Sequence, residues 1–385
     1  MNHPSFLSKA NNSLPILTTV LLLFMLQLSA SADNIITTGS TLKILPGTSM
    51  VSVEAMVIKS GATLDNSGYL ILRKGLTNEN TSPNSLGSGT AEFSGAFNQT
   101  ISGQNIIQNL WVNNATGVTV GGNTNVNGNL TLTTGNISLG PNNLVLGASS
   151  VIVGTPSASA MIIVTSSGEL RKEFQAGLGG TFTYPVGDDT GTPEYSPVTL
   201  AFNTATFAAA NYAGVSLKNI KYPDPNIIGN YLNRYWNISQ IGISNLNCNA
   251  TFQYLAADVT GDENLISCIR VNLLPWVIYA LANPVTHILS ADGIYSFGAY
   301  TGVKSSGIGV ETVVKNQFFK VYPNPTTDIV IIEVVDGSST ATANVTVYNM
   351  QDGKIYQKDL DGDSKFQFSL AGRPVGVYML KVQSG

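Results

Sequence analysis

Histidine, cysteine and charged residues are all scarce in this sequence. Its 385 residues include two histidines, two cysteines and only 11% charged residues. One histidine, His3, lies in an N-terminal segment that we interpret below as a leader, which leaves His287 alone in the mature chain. Multi-histidine metal sites and paired-histidine mechanisms are therefore excluded. We expect no metal, no cofactor and no enzymatic activity.

An excess of basic residues and a supply of strong helix formers are also missing. The net charge is −4, and no basic stripe or cluster of aromatic residues among Lys or Arg is present. Nucleic acid is therefore not an expected partner. Glycine, threonine, asparagine, serine and valine dominate instead, which is typical of short strands joined by tight turns. The composition predicts an all-β protein.

Long apolar runs are absent except for one, which extends from Leu14 to Leu28. Lys9 precedes it, and small residues follow at Ala30 and Ala32, the −3 and −1 positions of a secretory signal peptide. A membrane anchor is the alternative, but spanning takes roughly 20 apolar residues and this run is interrupted. We therefore expect a signal peptide at residues 1–32. No later segment is long and apolar enough to span, so the mature chain, which starts near Asp33, is expected to be exported without a transmembrane span.

Residues 33–155 carry short apolar pairs separated by Gly and Asn. This spacing fits a right-handed β-solenoid, whose inward pairs stack from coil to coil, or a meander in which Asn127-Gly128 is a hairpin turn. Strands of three or four residues favour the solenoid. Acidic residues there are few and well separated, which disfavours a polysaccharide lyase or hydrolase. The clearest pairs recur every seven residues, at Leu130 and Leu132, Ile137 and Leu139, and Leu144 and Leu146.

Three further segments follow the repeat. Longer alternating strands over residues 156–302 predict an antiparallel β-sandwich, and residues 303–318 are interpreted as a linker. Residues 319–385 predict a small β-sandwich, with "VYPNPTTDIVIIEV" as an extended start and strand, a turn at Asp352-Gly353 in "VTVYNMQDGKIYQKDL", and a turn at Pro374 to Gly376 before a closing strand.

This last unit resembles the type A C-terminal sorting domain of the type IX secretion system of Bacteroidetes. The "YPNP" start, the "YNMQDG" turn and the "PVGVYMLKV" finish carry the resemblance. It implies recognition by the type IX translocon and its C-terminal peptidase, and possible attachment to surface lipopolysaccharide. Members of the family usually continue into a short basic terminus, whereas this sequence stops at Gly385. The residues that the resemblance marks as the sorting signal are Tyr322, Pro323, Asn324, Pro325, Asn349, Met350, Gly353, Pro374, Gly376 and Tyr378.

Cys248 and Cys268 are the only cysteines, and they flank one predicted hairpin. Because an exported chain passes through an oxidising compartment, we expect a disulfide between them. The alternative is two buried free thiols. Between them, "DVTGDEN" places oxygen ligands at alternate positions but lacks the Gly and Glu of a calcium loop, so an exposed acidic turn is favoured.

Two clusters of side chains remain as candidate sites. Tyr231, Arg234, Tyr235 and Trp236 could contact a carbohydrate if exposed, although strand alternation favours packing, with Trp236 as the likeliest core residue. Asp188, Asp189 and Glu194 form the densest acidic segment, either as an ordinary turn or as carboxylates in a cleft.

The favoured function is an exported structural or adhesive protein at the cell surface, on the exterior of the outer membrane, or in the medium. A carbohydrate-binding or polysaccharide-degrading accessory protein is the alternative, with surface glycans as partners.

Overall fold

The computed structural model describes residues 32–177, 180–272, 276–304, 319–323, 325–334, 343–349, 353–360 and 365–384. The chain divides into two units, Met1–Val303 and Lys304–Gly385, and each is described by itself. The fold is all-β. The predicted signal peptide, including Ala30, lies outside the described residues, and the described chain starts at Ala32. No helix among the described residues has the length and apolar character needed to cross a membrane.

The first unit begins with coils of three short strands each. In chain order the coils contain β1 (Asn34–Ile36), β2 (Thr41–Ile44) and β3 (Ser49–Ser52); β4 (Met56–Ile58), β5 (Thr63–Asn66) and β6 (Tyr69–Leu72); β7 (Leu76–Asn78), β8 (Asn84–Ser85) and β9 (Thr90–Phe93); β10 (Gln99–Ser102), β11 (Asn105–Ile107) and β12 (Asn109–Asn113); β13 (Val118–Gly121), β14 (Thr124–Val126) and β15 (Asn129–Thr134); and β16 (Ile137–Ser138), β17 (Leu144–Leu146) and β18 (Val151–Gly154).

Strands at the same position in successive coils pair in parallel. The first strands form one sheet from β1 through β16, and the third strands form a six-stranded sheet from β3 to β18. The second strands form a two-stranded sheet, β2 and β5, and then join a larger sheet from β8 onward. This is a β-solenoid of about seven turns, so the solenoid prediction is confirmed and the meander is wrong.

The seven-residue spacing is the number of residues between a position in one strand and the equivalent position in the next strand, on the adjacent face of the solenoid. Leu130 lies in β15, Ile137 in β16 and Leu144 in β17, and all three are fully buried. Leu110 pairs with Leu130 and Val118 with Ile137, so one coil takes 19 or 20 residues. Aliphatic side chains of successive coils therefore stack into a continuous dry core, which is the main stabilising contribution.

The corner at Asn127-Gly128 is not a hairpin turn. The backbone N–H of Gly128 donates to Gln108 O of the preceding coil at 2.7 Å. A Cβ at this position would lie 2.7 Å from that same oxygen, so glycine is needed for the close approach of the two coils.

Asparagine side chains connect the corners of successive coils. Asn123 Oδ1 accepts a hydrogen bond from the backbone N–H of Asn143 at 2.9 Å, and Asn143 Oδ1 accepts one from Glu169 N at 3.0 Å. Asn109 Oδ1 accepts from Asn129 N in the same way at 3.0 Å. These bonds satisfy backbone donors where the strand ladders are interrupted.

The chain then continues into longer strands and two short 3₁₀ helices. In chain order they are β19 (Ile162–Ile163), β20 (Leu170–Lys172), β21 (Thr181–Tyr184), β22 (Val186–Asp188), β23 (Glu194–Tyr195), β24 (Val198–Lys218), β25 (Tyr231–Gln253), the helix Ala256–Asp258, β26 (Val259–Thr260), the helix Glu263–Leu265, β27 (Ile266–Arg270), β28 (Val277–Leu281), β29 (Ile288–Ile294) and β30 (Ala299–Lys304).

Parallel coil pairing does not stop at the predicted boundary after residue 155. Ile137 pairs in parallel with Ile162, and Leu144 pairs with Leu170. The next strand in the second sheet is β24, which pairs antiparallel to β20, with Leu170 opposite Val215. The solenoid sheet therefore continues directly into the antiparallel strands, and one hydrophobic core runs through both.

The second unit is a pair of three-stranded antiparallel sheets. Val330, Ile332, Val345, Val347, Phe366 and Phe368 form their shared core. This arrangement agrees with the predicted small β-sandwich. Its strands are β31 (Phe319–Tyr322), β32 (Ile329–Val334) and β35 (Lys365–Ser369) in one sheet, and β33 (Ala343–Tyr348), β34 (Lys354–Leu360) and β36 (Met379–Ser384) in the other.

Candidate functional site

Three carboxylates converge on the guanidinium of Arg234. Asp188 and Glu194 face each other across the antiparallel pair β22 and β23, and Asp258 ends a 3₁₀ helix. Arg234 Nη1 donates to Asp188 Oδ2 at 2.5 Å and Nε donates to Asp258 Oδ2 at 2.9 Å. Nη2 donates to Glu194 Oε2. We call Arg234, Asp188, Glu194 and Asp258 the arginine network.

The arginine network is nearly free of solvent contact. The side chains of Arg234 and Asp188 are fully buried, Asp258 is 3% exposed, and only Glu194 reaches the surface, at 18%. Asn219 Nδ2 donates to Asp188 Oδ1 at 3.0 Å and lies 3.3 Å from Glu194 Oε2. Burial of this kind is tolerated only when each charge has hydrogen-bond partners.

Negative charge exceeds positive charge in the network, because one guanidinium faces three carboxylates. Burial by itself lowers the pKa of Arg234, but the hydrogen bonds and charges of Asp258 and Asp188 outweigh it, so that the pKa is raised. Burial also raises the pKa of Glu194, assisted by the charges of Asp188 and Asp258 and opposed by Arg234. Glu194 therefore takes up a proton at a higher pH than an ordinary glutamate side chain.

The sequence predicts two separate acidic segments, one with Asp188, Asp189 and Glu194 and the other with Asp258. Asp188 and Glu194 do come together, but around a buried arginine and not in an open cleft, whereas Asp189 is exposed and does not join them. Asp258, expected in an exposed turn, is buried. No local pattern predicts this convergence, because Asp188 lies 46 residues before Arg234.

The proposed carbohydrate contacts divide between the core and the surface. Arg234 belongs to the network, and Trp236 is fully buried, where its Nε1–H donates to Ser196 O at 3.2 Å. Tyr231 and Tyr235 alternate with these residues and are half-buried, and Tyr235 meets the ring of Tyr222 edge-on at 5.1 Å. The four residues therefore do not form one exposed surface.

Cys248 and Cys268 are both free and buried, so the expected disulfide is not formed. Cys248 lies in β25, where it pairs with Phe202 of β24 and Ile294 of β29, whereas Cys268 lies in β27, whose neighbours in the sheet are β28 and β30. The two cysteines therefore do not lie on paired strands. Burial raises the pKa of the Cys248 thiol to about 12 and also raises that of Cys268.

His287 hydrogen-bonds within a small polar group. Its Nδ1 lies 2.8 Å from Glu263 Oε1, which also accepts from the hydroxyl of Tyr254 at 2.6 Å. Within the described ranges, no group of three or more His, Cys, Asp or Glu side chains is arranged to hold a metal ion.

The sorting-signal residues occupy strand ends and turns of the second unit. The hydroxyl of Tyr322 donates to Glu333 Oε2 at 2.6 Å, and a cis peptide bond joins Tyr322 to Pro323. Asn349 Oδ1 accepts a hydrogen bond from Gly353 N at 2.7 Å, which closes the turn between β33 and β34. Pro325 is exposed, and Asn324 and Met350 lie outside the described residues.

The final turn of the second unit is open to solvent. Pro374 and Gly376 are both exposed, and the hydroxyl of Tyr378 donates to Pro374 O at 2.5 Å across the turn. This hydrogen bond fixes the chain direction at the start of the closing strand. The turn therefore presents backbone and side chains on the surface of this unit.

Comparison with known proteins gives a match in the C-terminal segment of the chain. Residues 320–385 match the family model of the secretion system C-terminal sorting domain. No curated protein and no solved structure shows significant similarity to the chain. The resemblance noted in the "YPNP", "YNMQDG" and "PVGVYMLKV" segments is thereby confirmed, and it supports an extracellular protein secreted by the type IX system.

Proposed function

We propose that this protein is a non-enzymatic structural and adhesive component displayed on the exterior of the outer membrane or released into the medium. Its sorting domain implies interaction with the type IX secretion machinery. Cleavage by the C-terminal peptidase and attachment to lipopolysaccharide are the further steps that we propose for its display. The passenger region, residues 33–303, would then act as a rigid scaffold outside the cell.

The observation that carries the adhesive role is an outward row of side chains on the six-stranded sheet. In the strand pairing of this sheet, each residue of the row lies opposite the next one on the neighbouring strand. The row consists of Val51, Ile71, Glu92, Trp111, Thr131 and Val153. Val51 and Val153, at the two ends of the row, are exposed, Ile71, Trp111 and Thr131 are half-buried, and Glu92 is buried. Apolar side chains that reach solvent on one face of a sheet are typical of an interaction surface. We call this set the outer row.

The contacts of the acidic residues in the arginine network support a non-enzymatic role. Asp188, Glu194 and Asp258 each accept a hydrogen bond from Arg234, so that they are engaged in holding strands together. General acid and base catalysis needs carboxyl groups within reach of a substrate.

Export is tested by deletion of residues 319–385 in a bacterium with a type IX system. We expect the truncated protein to accumulate in the periplasm while the full chain reaches the surface. Surface display of the truncated protein would contradict the role of the sorting domain.

Adhesion is tested by changing the outer row in the full chain. The double variant Val51→Asp and Val153→Asp adds charge at two exposed positions and is expected to reduce attachment of cells to abiotic and cellular surfaces. Val285→Asp, at another strongly exposed valine, is the matched control and should leave attachment unchanged. Equal attachment by both variants and the wild type would refute the adhesive role.

A carbohydrate-binding accessory protein is the second candidate. Arg234 and Trp236 do not support this function, because both are buried. It depends instead on a cavity elsewhere in the first unit.

A further inference from the structure

A cavity of about 500 Å³ opens between three segments of the first unit. Its walls come from residues 238–246, which include the irregular part of β25, from Asn272, and from residues 295–298 before β30. This volume is in the range of small-molecule sites in proteins. No sequence pattern predicts this cavity, because its three segments come together only when the sheet folds.

The cavity combines an apolar base with uncharged polar walls. Ile238, Ile243 and Leu246 are buried and Phe297 is half-buried, and they provide the apolar surface. The polar lining residues carry only hydroxyl or amide groups, and the lining contains no Asp, Glu, Lys, Arg or His. A charged ligand would lose hydration without gaining a counter-charge, so the lining selects for a neutral ligand.

Several polar groups of the lining have free hydrogen-bonding capacity. The Ser239 hydroxyl is not one of them, because it is buried against Gly214 of β24 and closed to a ligand. Gln240 Oε1 accepts from Ile243 N at 3.0 Å, which fixes the amide and leaves its nitrogen available as a donor. Asn245 has a left-handed backbone, with φ of 49°, and its Nδ2 donates to Thr206 Oγ1, which leaves Oδ1 as an acceptor. Gln240 and Asn245 are both exposed, so a ligand in the cavity can reach these amides.

An aromatic ring lies at the cavity as well. Tyr295 lines it and is 75% exposed, although a tyrosine ring gains free energy when an apolar surface covers it. An exposed ring beside hydroxyl and amide groups suits a ligand with one apolar face and a hydroxylated edge.

We infer that this cavity binds a neutral saccharide, as a terminal sugar or short oligosaccharide. A pyranose ring has an apolar C–H face that can cover Tyr295, together with hydroxyl groups that both donate to Asn245 Oδ1 and accept from Gln240 Nε2. A purely apolar ligand would cover those two amides without pairing them, at a cost in binding free energy. The inference is independent of the outer row and therefore of the adhesive role proposed above.

The test uses the full secreted chain on an array of neutral and anionic oligosaccharides, followed by titration calorimetry with the best neutral one. Tyr295→Ala is expected to weaken binding about tenfold or more, an effect near 1.4 kcal/mol. Gln240→Glu should also weaken binding, because it keeps the acceptor for Ile243 N but removes the amide donor that faces the ligand. Tyr235→Ala, which changes a half-buried tyrosine outside the cavity, is the control and should bind like the wild type.

Three results would overturn the inference: no binding of any neutral oligosaccharide at millimolar concentration, preferential binding of anionic glycans, or loss of binding in Tyr235→Ala but not in Tyr295→Ala. If Gln240→Glu leaves affinity unchanged, the Gln240 amide has no role in binding and that part of the argument is wrong. Outer-row variants should retain saccharide binding, so failure of the adhesive role and failure of this inference are distinguishable.

Discussion

Arg234 and Asp188 form an ion pair that is completely excluded from solvent, with 2.5 Å between Nη1 and Oδ2. Asp188 belongs to the first-strand sheet of the solenoid and Arg234 to the long antiparallel strand β25. The pair therefore connects the last coils of the solenoid to the strands that cover its end. Open ends of a solenoid must be covered, and here an ionic contact fixes the covering strands in place.

Loss of the guanidinium should destabilise the first unit strongly. Arg234→Met leaves three carboxylates without their shared partner, and breaking a buried pair in this way costs about 3 to 5 kcal/mol. The measurement is the free energy of unfolding from denaturant titration of the full chain. Lys59→Met is the control, because it removes a surface ion pair with Glu79 whose contribution is about 0 to 1 kcal/mol. Equal losses in the two variants would contradict the proposed role of the network.

Protonation of Glu194 should make the folded state more stable at acid pH. Its pKa is raised above the ordinary value of 4.5, so the folded state holds this proton over a pH interval in which the unfolded state has released it. Stability from this group therefore decreases as pH rises from about 4.5 through the folded-state pKa, and is constant above it. Glu194→Gln should remove that decrease and raise stability at pH 7.

The check on Glu194 is the denaturation midpoint measured at several pH values between 4 and 8. Glu79→Gln, which changes a carboxylate on the surface of the solenoid, is the matched control and should keep the wild-type pH profile. A wild-type profile in Glu194→Gln would show that Glu194 does not couple to folding.

The solenoid could be predicted from the sequence because its cause is local. Leu130, Ile137 and Leu144 repeat at a spacing set by strand and corner length, and each points into the core. The repeat becomes invisible after residue 155 because the loops lengthen: Ile162 pairs with Ile137 although 25 residues separate them, whereas the preceding coil took 19. Parallel strand pairing therefore continues beyond the residue at which the sequence repeat can no longer be recognised.

The remaining features depend on contacts that no spacing reveals. Cys248 and Cys268 are close in sequence, but Cys248 pairs with Phe202 of β24 and Ile294 of β29 and not with the strand that carries Cys268. Arg234 lies among aromatic residues in the sequence, and alternation along β25 correctly favours an inward Trp236. The same alternation turns Arg234 inward, but only the fold brings Asp188 and Asp258 to it.

Close contact between coils should make some glycines irreplaceable. At Gly135, φ is +91° and an added Cβ would lie 1.6 Å from Asn114 O of the preceding coil, whereas at Gly140 φ is +54° and no atom lies within 4 Å. Gly140→Ala should cost about 1 to 2 kcal/mol through its left-handed backbone. Gly135→Ala must also displace a coil and should cost clearly more. Thermal unfolding of both variants provides the comparison, and similar stability would mean that neighbouring coils separate easily.

Export should require a folded sorting domain. Phe368 is buried and stacks on Tyr356 at 5.3 Å, while its neighbour Gln367 is exposed. Phe368→Ala should destabilise the second unit by about 3 to 5 kcal/mol and reduce the amount of protein at the cell surface. Gln367→Ala, one position away, should be exported normally. Fractionation of cells expressing each variant measures this, and efficient export of Phe368→Ala would show that the machinery reads a linear signal and not a folded domain.

Both cysteines should behave as protected free thiols. Cys248 and Cys268 are fully buried, and burial raises the pKa of each thiol, to about 12 for Cys248, so that little of the reactive thiolate forms at neutral pH. Iodoacetamide should therefore leave the native full chain unmodified and add two labels after unfolding in guanidinium without reductant. Mass spectrometry distinguishes the outcomes directly. Labelling that appears only when a reductant is added would reveal a disulfide, and labelling of the native protein would show that one of these strands opens to solvent on the timescale of the reaction.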